Sequence, residues 1–207
     1  YFSANIFLGF DGQATQYKLA TIMPGIDISF HIEPLGIVFS LLASGLWILT
    51  HIYAIGYMRG AKEKNHSRFF FFFSVSIASV MGISFSGNLF TLFLFYEILT
   101  LITFPLVSHK GSNEALRGAR VYLSILLGTS IGLQLLGIIW IYFSVGTLDF
   151  VKGGILNGSF GSLELTLLVA LFAFGIGKAA LFPFHRWLPA AMVAPTPVSA
   201  LLHAVAV

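Results

Sequence analysis

The chain has 207 residues, of which 57% are hydrophobic and only 9% are charged, and its formal net charge is +3. Water-soluble domains carry about 25% charged residues, so this composition excludes a soluble globular protein and predicts an integral membrane protein. Cysteine is absent from the sequence, which excludes disulfides, thiolate metal sites and cysteine-held iron–sulfur clusters.

Residues 1–33 precede the first long apolar run and mix polar with apolar positions. Within them the stretch IDISFHIE alternates apolar Ile28, Phe30 and Ile32 with polar neighbours, which is the period of a β-strand at an interface. The basic, apolar and small-residue regions of a signal peptide do not follow one another here. We interpret 1–33 as an extracytoplasmic lead-in with room for a short hairpin, and 34–207 as a transmembrane domain.

Apolar runs separated by polar loops predict five membrane spans. The first covers 34–58. The run 69–108 has forty residues and one formal charge, whereas about 20 residues cross the hydrocarbon core. The Gly-Asn pair at 87–88 therefore predicts a turn between two coupled helices. A fourth span ends near 145, and a fifth begins near 163 after a glycine-rich loop.

The basic residues predict the orientation of these spans. Loops 59–68 and 109–120 hold seven of the eleven Lys and Arg residues, and five alternating spans place both loops on the same side. By the positive-inside rule that side is cytoplasmic. The sequence pI near 9.3 is thus explained by membrane orientation and not by nucleic-acid binding.

Few formal charges lie within the predicted spans: Glu97, Lys178 and Arg120, with His51 and His203 as titratable companions. A Lys or Asp at the centre of a span costs about 2.5–3.5 kcal/mol, and such residues often mark ion or proton pathways. One alternative is a structural ion pair between Glu97 and Lys178. The other is a proton site, because dehydration favours the neutral amine whereas a nearby carboxylate favours its charged form.

A break in the last span follows Lys178. The stretch PFHRWLPAAMVAPTP contains Pro183, Pro189, Pro195 and Pro197 in fifteen residues and cannot form a continuous helix. Irregular backbone at membrane depth survives only inside protein or beside a wet cavity, and broken helices flank polar sites in transporters. We expect a new helix with Thr196 as N-cap and Pro197 at its first position, with His203 about 9 Å along it.

Other features carry weaker signals. In one interpretation His185 and Trp187 anchor the loop at an interface, and in the other His185 is an accessory to the proton site. His51 is more typical of a hydrogen-bonded helix residue than of a proton carrier. The phenylalanine run at 69–73 predicts a lipid or packing surface. Gly175 and Gly177 favour close approach of helices. No metal-binding, nucleophile or phosphate-binding motif is present, so soluble-style catalysis has no support.

Three segments carry a resemblance to a known family: EPLGIVFSLLASGLWILTHIYAIGYM, FLFYEILTLITFPLV and GKAALFPFHRWLPAAMVAPTPVSALLHA. They resemble the antiporter-like subunits shared by respiratory complex I, membrane-bound hydrogenases and Mrp-type sodium/proton antiporters. The resemblance implies an all-α polytopic bundle of inverted repeats, each with a discontinuous helix. We therefore expect this chain to be the first repeat of a longer protein, without the second repeat and its lysine. Glu33 departs from the family's usual aspartate.

The resemblance also implies roles for individual residues. Glu97 matches the family's helix glutamate, Lys178 its broken-helix lysine and His203 the histidine that follows the PTPVSA segment. Arg120 corresponds less closely to a basic position at the start of the next helix. The implied partners are other membrane subunits, lipid, protons and Na⁺ or K⁺, with no cofactor and no metal. The implied location is the bacterial inner membrane or an organellar equivalent.

We therefore expect a proton-translocating subunit of a multisubunit monovalent cation/proton antiporter, in which Glu97 tunes Lys178 and His203 exchanges protons with it. The stretches GTLDF and HKGSNEALRGARVYL resemble the D-type subunit of Mrp antiporters more closely than they resemble the largest antiporter-like subunit of complex I. The alternative is a proton-pumping subunit of complex I or of a membrane-bound hydrogenase, where electrons travel in other subunits. A third alternative is a non-conducting scaffold. The chain has no catalytic centre of its own, so membership of an enzyme depends on its assembly.

Overall fold

The computed structural model describes residues 15–151, 153–156, 158 and 160–203. The chain begins this described part with an antiparallel hairpin of β1 (Thr15–Met23) and β2 (Ile26–Ile32). Gly25 closes the turn with φ of +78°, a conformation that glycine adopts without strain. The strand predicted from the apolar alternation is therefore present as β2, although its membrane-interface position stays a prediction.

Helices dominate the rest, as the sequence predicts. Within the described ranges, four stretches are long and apolar enough to cross a membrane: α1 (Pro34–Gly60), α2 (His66–Ser84), α3 (Leu89–Val107) and the stretch Asn113–Val145. The predicted turn at 87–88 separates α2 from α3, because the Asn88 side chain accepts the Thr91 N–H at 2.7 Å and caps α3. The prediction of a polytopic helical bundle is confirmed.

The stretch Asn113–Val145 is interrupted at its centre. It consists of α4 (Asn113–Thr129), a π-helical segment (Ser130–Gln134) and α5 (Leu135–Val145). The sequence did not predict this segment. π-helical turns inside α-helices are rare and often lie at functional sites, and both ends of this one, Ser130 and Gln134, are buried.

The fifth predicted span begins near residue 163, as expected, but its continuous helical part is short. α6 (Ser162–Gly175) has 14 residues, which is about 21 Å of helix and less than the hydrocarbon core requires. After it come a 3₁₀ turn (Gly177–Ala179), a second 3₁₀ turn (Phe184–Arg186), α7 (Trp187–Ala191) and α8 (Thr196–Leu201). The discontinuous helix is therefore confirmed.

The start of α8 differs by one residue from the prediction. Thr196 is the first helical residue and not the N-cap, a position that Pro195 holds without any side-chain cap bond. Pro197 consequently stands at the second helical position, where its missing N–H is still one of the unpaired donors of a helix start.

The main core joins α1, α2, α3 and α4 with α7 and α8. Its largest members include Phe69, Phe73, Tyr122 and Trp187, which are fully buried. The phenylalanine run divides between two environments, because Phe69 and Phe73 face this core whereas Phe71 is exposed. The expectation of a packing and lipid surface at 69–73 agrees with that division. Among the four stretches of spanning length, α1 is the least buried against the rest of the described chain.

The hairpin is fixed to the start of α3. Ser29 donates its N–H to Thr91 Oγ1 at 3.0 Å, and Asn88 Nδ2 donates to the Asp27 carbonyl at 2.7 Å. The hairpin therefore lies at the end of the bundle opposite the two basic loops, since α1 and α3 both run away from it.

Candidate functional site

Lys178 lies in the 3₁₀ turn directly after α6 and is 4% exposed. Its Nζ donates a hydrogen bond to the Tyr96 carbonyl at 3.0 Å and stands 3.9 Å above the centre of the Tyr96 ring. The backbone N–H of Lys178 donates to the Tyr96 hydroxyl at 3.2 Å. One tyrosine of α3 thus holds both the backbone and the amine of Lys178.

Glu97 follows Tyr96 on α3, half-way through the bundle. One of its carboxylate oxygens, Oε1, is buried and has no hydrogen-bond partner among the described residues. The groups that act on this carboxylate are the hydroxyl of Ser130 and the amine of Lys178. Ser130 itself donates to the Leu126 carbonyl at 2.8 Å.

Glu97 and Lys178 influence each other without forming an ion pair. Among the described residues the ion pairs are Lys18–Asp27 and His31–Glu33, so no Glu97 oxygen approaches Lys178 Nζ within 4.0 Å. The alternative of a direct structural ion pair is therefore wrong for this structure. The two groups still interact electrostatically.

Two glycines let the break approach the π-helical segment. A Cβ on Gly175 would lie 2.6 Å from the backbone nitrogen of Gln134, and a Cβ on Gly177 would overlap Thr129 Oγ1. The close approach expected of Gly175 and Gly177 is thus present, and it brings Lys178 beside the segment that carries Ser130. Gln134 Oε1 is buried there and has no hydrogen-bond partner in the described part of the chain.

The indole of Trp187 stabilises the broken backbone. Trp187 Nε1 donates to the Gly177 carbonyl at 2.8 Å, so that a carbonyl released by the break is satisfied. Trp187 packs edge-on against Tyr122 of α4 with ring centres 5.5 Å apart. The Tyr122 hydroxyl in turn hydrogen-bonds Thr103 of α3 at 2.5 Å. These contacts tie the break to α3 and α4.

The remaining predicted site residues lie outside this buried cluster. His203 and Arg120 are exposed, and neither has a hydrogen-bond or ion-pair partner among the described residues. His185 is also exposed, and its ring stacks on Phe182 at 5.7 Å. His51 is partly buried between Trp47 and Phe70, and its Nδ1 has no hydrogen-bond partner in the described part of the chain. The expected hydrogen bond of His51 within its helix is therefore not found.

The break prolines take different places. Pro183 follows a cis peptide bond, Pro189 is exposed on α7, and Pro195 and Pro197 are buried around the start of α8. Within the described ranges, no group of three or more His, Asp or Glu side chains is placed to hold a metal ion.

Sequence reasoning missed several members of the cluster: Tyr96, Thr103, Tyr122, Ser130 and Gln134. The interpretation of Trp187 as an interface anchor is wrong, because its side chain is fully buried. One signal was available. Tyr96, Thr100 and Thr103 recur every three or four residues, which places them on one helix face, and all three are buried. Ser130 and Gln134 show the same spacing within an apolar span.

Comparisons with known proteins place this geometry in context. A family model described as NADH:quinone oxidoreductase/Mrp antiporter, transmembrane, matches residues 86–207, and a model of the N-terminus of complex I chain 5 matches residues 23–70. A protein named antiporter subunit mnhA2 from Staphylococcus haemolyticus is 34% identical over 98% of this chain and 26% of its own length.

Two further relatives also match most of this chain. The chloroplast NAD(P)H-quinone oxidoreductase subunit 5 of Nandina domestica is 34% identical over 86% of this chain and 25% of its own length. A solved Mrp complex from Dietzia sp. superposes with a TM-score of 0.83 at 25% identity, covering 99% of this chain and 23% of that one. The chain spans about a quarter of the length of the curated relatives it matches.

Proposed function

Because the chain belongs to the NADH:quinone oxidoreductase/Mrp antiporter transmembrane family, we propose that it translocates protons as part of a membrane subunit of a multisubunit monovalent cation/proton antiporter. The observation that carries the proposal is Lys178, a buried amine at a helix break that faces an unpaired carboxylate. A purely structural lysine would be expected to close that ion pair, since an unpaired buried charge is costly.

The surroundings of Lys178 suit a change of charge. The Tyr96 carbonyl accepts a hydrogen bond from the amine whether it is neutral or protonated, the Tyr96 ring favours a cation above its face, and the Glu97 carboxylate favours the ammonium form. Burial opposes the ring and the carboxylate by favouring the neutral amine. Small movements of Glu97, or its protonation, would therefore shift the balance between the two forms.

In the proposed cycle Lys178 gains a proton while Glu97 is ionised and releases it when Glu97 is neutralised. The proton leaves Nζ as the amine returns to its neutral form. His203 is proposed as the next carrier, because an imidazole exchanges protons readily near neutral pH. Na⁺ or K⁺ is the proposed counter-ion, in line with a Rhizobium meliloti relative that is named as part of a K(+)/H(+) antiporter and is 37% identical.

The proposed setting is the bacterial cell membrane or its organellar equivalent, with other membrane subunits as partners. Support comes from relatives named as subunits and from four helices of spanning length. Both basic loops lie at the same end of the bundle, in line with a cytoplasmic position for that end.

The test is Lys178→Ala in the full-length protein, assembled with its partner subunits and studied in inverted membrane vesicles. Cation-dependent proton transport, followed by a pH-sensitive dye, should fall to the background of vesicles that lack the complex. Lys62→Ala, which removes an exposed amine from a basic loop, is the matched control and should transport normally. Near-normal transport by a correctly assembled Lys178→Ala complex would refute the proposal.

A second function shares the same local chemistry: a proton-pumping subunit of complex I or of a membrane-bound hydrogenase. The match of residues 23–70 to the complex I chain 5 model favours it. Purification of the native complex separates the two, because a redox assembly carries flavin and iron–sulfur absorbance whereas an antiporter carries neither. Loss of cation dependence with retained redox-driven pumping would favour the second function.

A further inference from the structure

His109 lies just beyond the end of α3, at the end of the bundle that carries the basic loops, and the function proposed above does not use it. Its side chain is 7% exposed, and neither ring nitrogen has a hydrogen-bond partner in the described part of the chain. The ring packs edge-on against Phe69 at 5.2 Å. Buried polar groups are nearly always hydrogen-bonded, so this imidazole is an exception that needs a cause.

Several charged groups surround His109. Arg68 and His66 face it from α2, and Glu63 and the backbone of Lys64 face it from the preceding loop. Burial, followed by Arg68, lowers the pKa of His109, and Glu63 and the backbone of Lys64 oppose that shift. The Lys64 backbone lies near the ring, but no contact of either ring nitrogen with a described residue meets hydrogen-bond geometry. A neutral imidazole has one donor and one acceptor nitrogen. Such a ring is suited to passing a proton on and not to storing one.

Two buried hydroxyls lie between His109 and the Glu97–Lys178 site. Thr103 precedes His109 by six residues, or about 9 Å of helix, and bonds the Tyr122 hydroxyl at 2.5 Å. Both side chains are fully buried. Tyr122 is near enough to Tyr96 and Glu97 to interact with them electrostatically. The hydroxyl pair thus adjoins the site at one end, and at the other it lies between the site and His109 along α3.

An apolar layer separates His109 from these hydroxyls. Leu106 and Val107 are fully buried and occupy the turn of α3 between His109 and Thr103. A dry layer of this kind blocks free leakage of protons, and transient water entry would open it, as in channels that gate by dewetting.

We propose that His109 is the proton-entry residue on the basic-loop side, and that the Thr103–Tyr122 hydroxyl pair carries the proton onward to Glu97 and Lys178. The inference rests on the proposed function. A proton from bulk water binds the free ring nitrogen of His109, and the other ring nitrogen gives its proton to water that enters the Leu106–Val107 layer. Each hydroxyl oxygen then accepts one proton and releases its own, so each hydroxyl keeps one proton and Lys178 gains one. His109 returns to the neutral form with its proton on the other ring nitrogen.

The first experiment uses His109→Phe in the full-length assembled complex. Phenylalanine keeps an aromatic ring against Phe69 but exchanges no proton. Transport in inverted vesicles should fall at least about tenfold, because positioned proton-transfer groups typically contribute 10²–10⁴-fold. The remaining rate should lose its dependence on pH at the basic-loop side in the range below the ordinary histidine pKa of about 6.5, because burial lowers the pKa of His109. His31→Phe, in the hairpin at the opposite end, is the matched control and should keep both rate and pH dependence.

The second experiment removes the relay hydroxyl with Tyr122→Phe, which keeps the ring against Trp187. Transport should fall while the pH dependence set by His109 remains. Tyr142→Phe is the matched control, because its hydroxyl bonds the Pro24 carbonyl at 2.7 Å, far from the relay. An equal loss in both variants would point to a general effect of the lost hydroxyl and would overturn the relay.

Lys178→Ala separates the two proposals. Unchanged rate and pH dependence in His109→Phe, with Lys178→Ala inactive, overturns the entry residue and leaves the proposed function standing. Normal transport in Lys178→Ala overturns the proposed function itself. Should His109→Phe fail to assemble, His109→Gln replaces it and the same two readouts decide.

Discussion

Two lysine–carboxylate pairs in the described part of the chain differ in almost every respect. Lys18 and Asp27 meet across the hairpin at 2.5 Å, with 59% of the lysine side chain exposed. Lys178 and Glu97 interact inside the bundle without direct contact, and Glu97 Oε1 has no hydrogen-bond partner among the described residues. Direct contact suits this pair because the exposed amine of Lys18 keeps access to solvent.

The difference shows what separation achieves in a buried pair. A closed pair inside a bundle would stabilise both charges, and removing either partner would be strongly unfavourable. Keeping Glu97 apart from Lys178 leaves each group able to change its charge while the other still influences it. The Tyr96 carbonyl contributes by holding the amine in either protonation state.

The largest difference between the two pairs is expected when the carboxylate is neutralised, and Glu97 is the residue at which to measure it. Glu97→Gln keeps the size of the side chain but cannot carry a charge, so Lys178 loses the group that favours its ammonium form. Transport by the full-length assembled complex should fall about 100-fold, the lower end of what a positioned proton-transfer group contributes. Asp27→Asn, the same change in the exposed pair, should transport at the normal rate. Equal effects of the two substitutions would show that burial does not distinguish the pairs.

Much of this site could be predicted from the sequence, because charged residues and prolines are energetically unfavourable within a membrane-spanning helix. Glu97 and Lys178 stand out because a charge within an apolar run is expensive, and the four prolines show that the helix breaks. Exposure of Arg120 and His203 could not be predicted in the same way, because the cost of a charge does not say which way a side chain faces.

The rest of the site depends on tertiary contacts. The π-helical segment at Ser130–Gln134 has no sequence signature of its own, and it is recognised only when Gly175 packs against Gln134. The Tyr96 carbonyl is a backbone group, so no pattern of side chains could have marked it as the partner of Lys178. Composition and apolar run length, by contrast, were enough for the helices of spanning length.

A substitution at Gly177 tests whether transport depends on the position of Lys178 relative to Glu97. A Cβ there overlaps Thr129 Oγ1, so Gly177→Ala should push the Lys178 turn away from the π-helical segment. Overpacking of this kind costs about 1–3 kcal/mol, measured as a lower thermal unfolding temperature of the assembled complex. Transport should fall with it because Lys178 is displaced.

Thr129→Ala removes the overlapping oxygen and should restore both stability and transport when combined with Gly177→Ala. Gly45→Ala is the matched control, since a Cβ there meets nothing within 4 Å. Failure of the double variant to recover would mean that Gly177 acts through something other than its contact with Thr129.

The smallest effect is expected at the exposed pair, and it comes with a defined pH range. The hydrogen bond from Lys18 lowers the pKa of Asp27, and the same bond raises the pKa of Lys18. The stabilisation from Asp27 is therefore complete above the ordinary carboxyl pKa and is lost as pH falls through its lowered value. The stabilisation from Lys18 is complete below the ordinary amine pKa and is lost as pH rises through its raised value.

Lys18→Met should increase amide hydrogen exchange in Thr15–Met23 and Ile26–Ile32 by less than about fivefold at neutral pH, because exposed ion pairs contribute little. A larger increase, or a loss of proton transport in the same variant, would show that the hairpin pair is coupled to the bundle and would remove the contrast between the two pairs.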